Sequence, residues 1–585
     1  MPNSACHKLL AALLISNLIA VPATPLLAQQ SGTDVPSLTL RATTRLVVLD
    51  VVVTDKRGQA VTGLTADDFT VEENGKKQKV SVFLPPASGN RMPPASTPPG
   101  ILSNRPENVG PAGVPIVLVL DAANSPFEQQ AYARTEMLKY VAEQGQSRRP
   151  MAVLALTDRL HVLQQFTSDP QVLLTAIKNF KPESQILSNN LTPAPTAVPP
   201  GMEGATRGPG PVLVSTQQAV SDFATAPIAY NLERRTLITI DAMRSLSRML
   251  GGLQGRKNVI WLTAELPFDL IPENRNVTDA EMLADLPGSQ SKSVQLRSAA
   301  VYAGAGRELH GDAIRAAESQ LAGSNIAIYP VDLHGLLGGM NTTYSGAHDI
   351  DIHGAGLANQ AIAEGGSLQA SQGTMEEVAA ETGGKPYINQ NEIKNGVALA
   401  AADDTASYEI GYYPENKKWD GKYRNIKIKL AHGDTQIRYR KGYFAVDNTS
   451  PKNANYDQDV AAALQFNAPA TQISFMAQAK PTDPGKVRVV FLVNARTVTA
   501  EDSGGNKKVN VSLYACIFAA DGKSLATRSI KVDRSFDAGT YQQILDKGMM
   551  VPIDLDVPSG GSELRLAVLD NKTGYIGTVS GPLGQ

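Results

Sequence analysis

Apolar runs of different period divide this chain into segments, and the most informative run spans 114–120. It reads Val-Pro-Ile-Val-Leu-Val-Leu, stops at Asp121, and passes into Ala122-Ala123-Asn124-Ser125. A short run rich in Val and Ile predicts a strand buried on both faces rather than a helix. A helical pattern over 128–142 follows, so Asp121 is expected at the carboxyl edge of a parallel sheet, where α/β folds place ligands. The alternation continues with a strand at 151–156, a second β run at 161–166, and a helix from Asp169-Pro170 to about 178. An amphipathic helix over 228–253 carries Leu237, Ile240, Met243, Leu246 and Leu250 at helical spacing. Strand 259–263, a helix closing at 318–322, strand 325–331 ending at Asp332, and helices over 375–381 and 392–403 complete the pattern. Strands alternating with helices predict a parallel sheet covered on both faces. The run at 161–166, separated from its predecessor by Asp158-Arg159, predicts an antiparallel edge hairpin.

On either side of this block the period falls to two. Upstream, 46–54 is a β run closed by the turn Asp55-Lys56-Arg57-Gly58, and Asn74-Gly75 between alternating runs is a strong hairpin signal. Residues 38–84 are therefore read as a small β module, and 85–113, rich in Pro, Gly and Ser, as a linker. Downstream, β runs at 407–413, 424–430 and 435–439 make a second small module over 404–444. Each module is too small to form a core alone, which predicts that the two pair into one sandwich with the α/β domain, 114–403, inserted between them. Residues 446–462 are read as a polar linker. Runs at 473–479, 487–493, 509–518, 525–532 and 564–569 suggest a terminal β-sandwich over 464–585. Residues 182–213 hold prolines and glycines without periodicity and are read as a disordered surface insertion.

Composition narrows the function classes. The 585 residues carry a formal net charge of -2, with 42% hydrophobic positions. No basic field is available for nucleic acid, and no nucleic-acid motif is present. His7 and Lys8 precede an apolar run over 9–21, and Leu26-Leu27-Ala28 precedes Gln29. Residues 1–28 thus read as a secretory signal peptide, which places the chain in the periplasm, envelope or extracellular space. Loss of that segment leaves Cys516 as the sole cysteine, so no internal disulfide is expected. No other stretch is apolar enough to span a membrane.

The stretch from Val114 to Ser125 resembles the first strand and metal loop of a von Willebrand factor A domain. Further motifs extend the resemblance to the VWFA-related domain proteins of the Acidobacteria type. They are Asp68-Phe69, Glu73-Asn74-Gly75, Gly255-Arg256-Lys257-Asn258, Thr382-Gly383-Gly384, Gly411-Tyr412-Tyr413-Pro414, Asp420 to Arg424, Arg440 to Tyr443, and Val568 to Gly574. The resemblance implies a doubly wound A-type sheet flanked by β-sandwich modules, and a Mg²⁺ site at the sheet edge that binds a partner's carboxylate. Carried over by residue, Asp121 and Ser125 match the first loop, while Ala123 stands where a serine is usual. Thr236 is the best match for the second-loop threonine. The third loop reads Thr263-Ala264-Glu265, which leaves Glu265 as the nearest acid, one position displaced. Mg²⁺ needs near-octahedral oxygen ligation, and this set is incomplete, so Asp121 is expected to cap the following helix instead.

Other candidate chemistry is weaker. His348-Asp349-Ile350-Asp351-Ile352-His353 supplies transition-metal ligand types, but strand geometry would point its histidines to opposite faces. Asp67 and Asp68 are read as turn carboxylates, Lys385 as following a helix-ending glycine, and Cys516 as a core residue. No nucleophile elbow, phosphate loop or zinc helix appears. The leading expectation is a non-enzymatic exported binding or scaffold protein that engages protein partners through a degenerate metal site. The alternatives are a Mg²⁺-dependent adhesin for an acidic ligand residue, and an envelope metal-dependent hydrolase.

Overall fold

The computed structural model describes residues 46–86, 97–109, 115–143, 150–181, 231–267, 313–335, 371–390, 403–431, 435–446 and 456–583, apart from 232 and 315, together with 396, 398 and 400. Residues 1–28, read as a signal peptide, residues 182–213, read as a disordered insertion, and the His348–His353 stretch lie outside them. The chain is a mixed α/β protein with several sheets. Its central sheet has five strands, in the order Ile326–Asp332, Lys257–Thr263, Ile116–Asp121, Met151–Leu156, Leu160–Thr167. The first four run parallel and the last is antiparallel to its neighbour. Every residue of Ile116–Asp121 and Met151–Leu156 is buried, as a strand packed on both faces requires. On one face lie the helices Phe127–Glu143 and Pro170–Asn179, which contribute Met137, Tyr140, Leu173 and Ile177 to the core. Helices over 233–250, 316–323 and 371–382 cover the other, with Met243, Leu246, Leu321 and Val378. Leu237 departs from expectation and is 44% exposed. At 100° per residue it stands about 120° from the middle of the stripe formed by Ile240, Met243, Leu246 and Leu250.

The small β segments pair across the α/β domain. Val47–Asp55 lies between Ser407–Tyr412 and Thr435–Arg438, and Phe69–Glu73 pairs with Tyr423–Leu430, all antiparallel. The two resulting sheets enclose Leu49, Val51, Val71, Tyr408, Ile410 and Ile428. Under them, Arg424 donates to Glu73 Oε1 at 3.1 Å, and Tyr412 and Tyr443 donate to Oε2 at 2.8 and 2.9 Å. A buried charge is thereby paired and hydrogen-bonded together.

The segments read as linkers need correction. Ile101–Ser103 is a strand, antiparallel to Phe475–Pro481, at the edge of the C-terminal sandwich. Leu102 packs on that sandwich's core, and Asn104 anchors the strand by donating to Ala470 O and Ile473 O and accepting from Phe475 N. Within 446–462, Tyr456 begins a helix, Tyr456–Gln465, whose Val460, Ala463 and Leu464 are buried against the sandwich. Its Asp457 and Asp459 occupy the first turn, where the helix dipole favours them.

Candidate functional site

The loop after Asp121 is pinned by its neighbour strand, because the N–H groups of Ala122 and Ala123 both donate to Leu156 O at 2.9 Å. This leaves the Asp121 side chain fully buried at the carboxyl edge. Its Oδ2 accepts from Trp261 Nε1 at 2.8 Å, Thr263 Oγ1 at 3.0 Å and Asn124 Nδ2 at 2.9 Å. Its Oδ1 accepts from Asn124 N at 2.9 Å. Burial pushes the carboxyl above its ordinary pKa, against these donors. Asn124 links it to the next layer: Nδ2 also donates to Thr239 Oγ1 at 3.0 Å, and Oδ1 accepts from Arg235 Nε at 2.9 Å. Arg235, in the helix over 233–250, then pairs with Glu265. The result is a continuous relay, Asp121–Asn124–Arg235–Glu265, running from the sheet to the surface.

Each residue matched to the metal site has a protein partner. Ser125 Oγ accepts from Ala264 N at 3.0 Å, Thr236 Oγ1 donates to Pro267 O at 3.1 Å, and Glu265 is engaged by Arg235. Ala123 is buried in the apolar cluster that contains Trp261. A divalent cation requires several free oxygen lone pairs converging on one point. Here N–H and O–H donors converge on Asp121, and a guanidinium lies between it and Glu265. The residues present do not fit Mg²⁺. Among the described residues, no group of three or more His, Cys, Asp or Glu could hold a metal ion.

The sequence assigns no site role to Arg235, Asn124, Trp261 or Thr239, nor to a second buried carboxylate at the same edge. Asp332 accepts from Gln372 Nε2 at 2.9 Å and bonds His334 Nδ1 at 2.7 Å, and its own side chain is fully buried. An aspartate ending a core strand two residues before a histidine was the available signal. The remaining candidates take structural places. Asp68 accepts from Thr65 N and Oγ1 in a turn. Cys516 is buried, which raises its thiol pKa, and accepts from Thr527.

No protein-family model matches this sequence, and no curated protein matches it either. Among solved structures, an aerotolerance-related membrane protein of Bacteroides fragilis NCTC 9343 aligns at 12% identity, over 50% of this chain and 99% of that one, with a TM-score of 0.21. The protein BatB of Bacteroides thetaiotaomicron aligns at 11% identity, over 49% and 99%, with a TM-score of 0.22. The pilus adhesin SpaC of Lactobacillus rhamnosus GG aligns at 8% identity, over 89% and 58%, with a TM-score of 0.21.

Proposed function

We propose that this chain is an exported, non-enzymatic binding or scaffold protein whose von Willebrand factor A-type domain engages a protein partner at the carboxyl edge without a metal ion. The observation that carries this reading is the Asp121–Asn124–Arg235–Glu265 relay, which fills with protein donors the place where a metal would sit. The strand order supports the A-type assignment: four parallel strands with an antiparallel edge hairpin at Leu160–Thr167. Both β-sandwiches then serve as spacers that carry the edge. No helix among the described residues is long and apolar enough to cross a membrane.

Calorimetric titration of the purified protein with Mg²⁺ and Mn²⁺ tests the reading. No saturable heat is expected, and partner retention should be equal in EDTA and in Mg²⁺. Saturable metal binding that disappears in Asp121→Ala would overturn it and favour the adhesin alternative.

A further inference from the structure

We infer that the carboxyl edge is a carboxylate-binding site in which Arg235 supplies the cation and Glu265 is a built-in occupant that a partner's Asp or Glu displaces. The inference rests on the metal-free reading above and names the chemistry the edge recognises. The Arg235 side chain is only 5% exposed, whereas that of Glu265 is 34% exposed. A buried guanidinium left without an anion is strongly unfavourable, so whatever removes Glu265 must bring a carboxylate in its place. Exchange of one carboxylate for another keeps the charge-assisted bond and changes little else. Displacement is therefore open to an acidic side chain and closed to a neutral one.

The geometry suits this pair to exchange. Asn124 Oδ1 holds Arg235 Nε at 2.9 Å, and Asn124 is itself fixed on Asp121. The guanidinium is thus oriented from below by groups that do not move when Glu265 leaves. Glu265 sits in the loop that follows Lys257–Thr263, with its carbonyl 2.6 Å from Thr263 Oγ1, whose one proton it shares with Asp121 Oδ2. Its side chain can swing outward while the backbone stays in place. The fitting partner is therefore a protein segment that presents an acidic side chain to this edge.

The test uses a blocked pentapeptide with a central glutamate between two leucines, and its glutamine counterpart, titrated calorimetrically into the wild-type protein, Glu265→Gln and Arg235→Gln. Glu265→Gln should bind the glutamate peptide roughly tenfold more tightly than wild type, and should ignore the glutamine peptide. Arg235→Gln should bind neither. Since that variant leaves its neighbours unpaired, its thermal melt is recorded, and the side-chain Nε resonance of Arg235 is followed by NMR in Glu265→Gln on adding peptide. A shift of that resonance supports the inference whether or not Arg235→Gln folds. Equal binding of both peptides, no gain in Glu265→Gln, or an unmoved Nε resonance overturns it. The titrations are repeated with Mg²⁺ and with EDTA. Peptide binding that needs Mg²⁺ defeats the metal-free reading itself, whereas absence of peptide binding in both, beside no saturable heat from Mg²⁺ or Mn²⁺ alone, defeats the carboxylate inference alone.

Discussion

Replacing Asp121 by asparagine exchanges one oxygen for an NH₂ group in a pocket where Trp261, Thr263 and Asn124 all donate. Whichever way the amide turns, a donor then faces a donor, and the relay to Arg235 loses its base. Asp121→Asn should cost about 3 kcal/mol, read as a lower urea midpoint with unchanged slope. A loss below about 1 kcal/mol would mean that the carboxylate is not the anchor of the edge. At this scale the sequence was legible where local pattern decides. Asp121 follows from the end of an apolar run, whereas Ser125 takes a site role only from the resemblance. Glu265 and Thr236 came only through resemblance. Arg235 was invisible because its role depends on Asn124, 111 positions away, and no local period encodes such a pairing.

Elements were legible in proportion to their length and the purity of their period. The fully buried strands Met151–Leu156 and Lys257–Thr263 fall within two residues of expectation, since long apolar runs have few alternative placements. Ile101–Ser103 was missed because three residues carry no period, and because its neighbours are prolines and glycines. Met549–Asp556 alternates buried and exposed along its length but contains Pro552, which argues against an interior strand. The sheet order resolves this, since that strand lies at an edge. The short strand matters beyond its size, because Asn104 satisfies Ala470 O, Ile473 O and Phe475 N while wholly buried. Asn104→Ala leaves Phe475 N without its acceptor, while Ala470 O keeps the bond from Thr578 N, and about 2 kcal/mol of sandwich stability should be lost. Differential scanning calorimetry should show the C-terminal transition moving down. An unmoved transition would show that the strand merely lies on the surface.

At the scale of the molecule, many of the motifs that carry the resemblance meet at the joint between the α/β domain and the small sandwich, away from the carboxyl edge. Arg256 donates to Tyr329 Oη and Gly383 O, Tyr329 donates to Asp403, and Arg438 from the sandwich pairs with the same carboxylate. A Cβ on Gly384 would stand 1.9 Å from Ile328 O, so only glycine allows the chain to pass there. Beside this network, Tyr423 of the sandwich donates to Glu381 of the domain. Burial raises the Glu381 carboxyl above its ordinary 4.5, against the Tyr423 hydrogen bond and the charges of Lys441 and Arg440. A carboxyl with a raised folded pKa favours its protonated form in the native state. Its contribution is full below the unfolded pKa and declines as pH rises through the folded one. The joint should therefore loosen from about pH 4.5 upward. Glutamine keeps the acceptor for Tyr423 but cannot ionise, so Glu381→Gln should remove this slope. Thermal melts of both proteins between about pH 4 and pH 8 should show wild type losing midpoint relative to the variant as pH rises. A difference that stays flat, or that grows in favour of wild type, would mean that Glu381 stays ionised at the joint as the anion for Lys441 and Arg440.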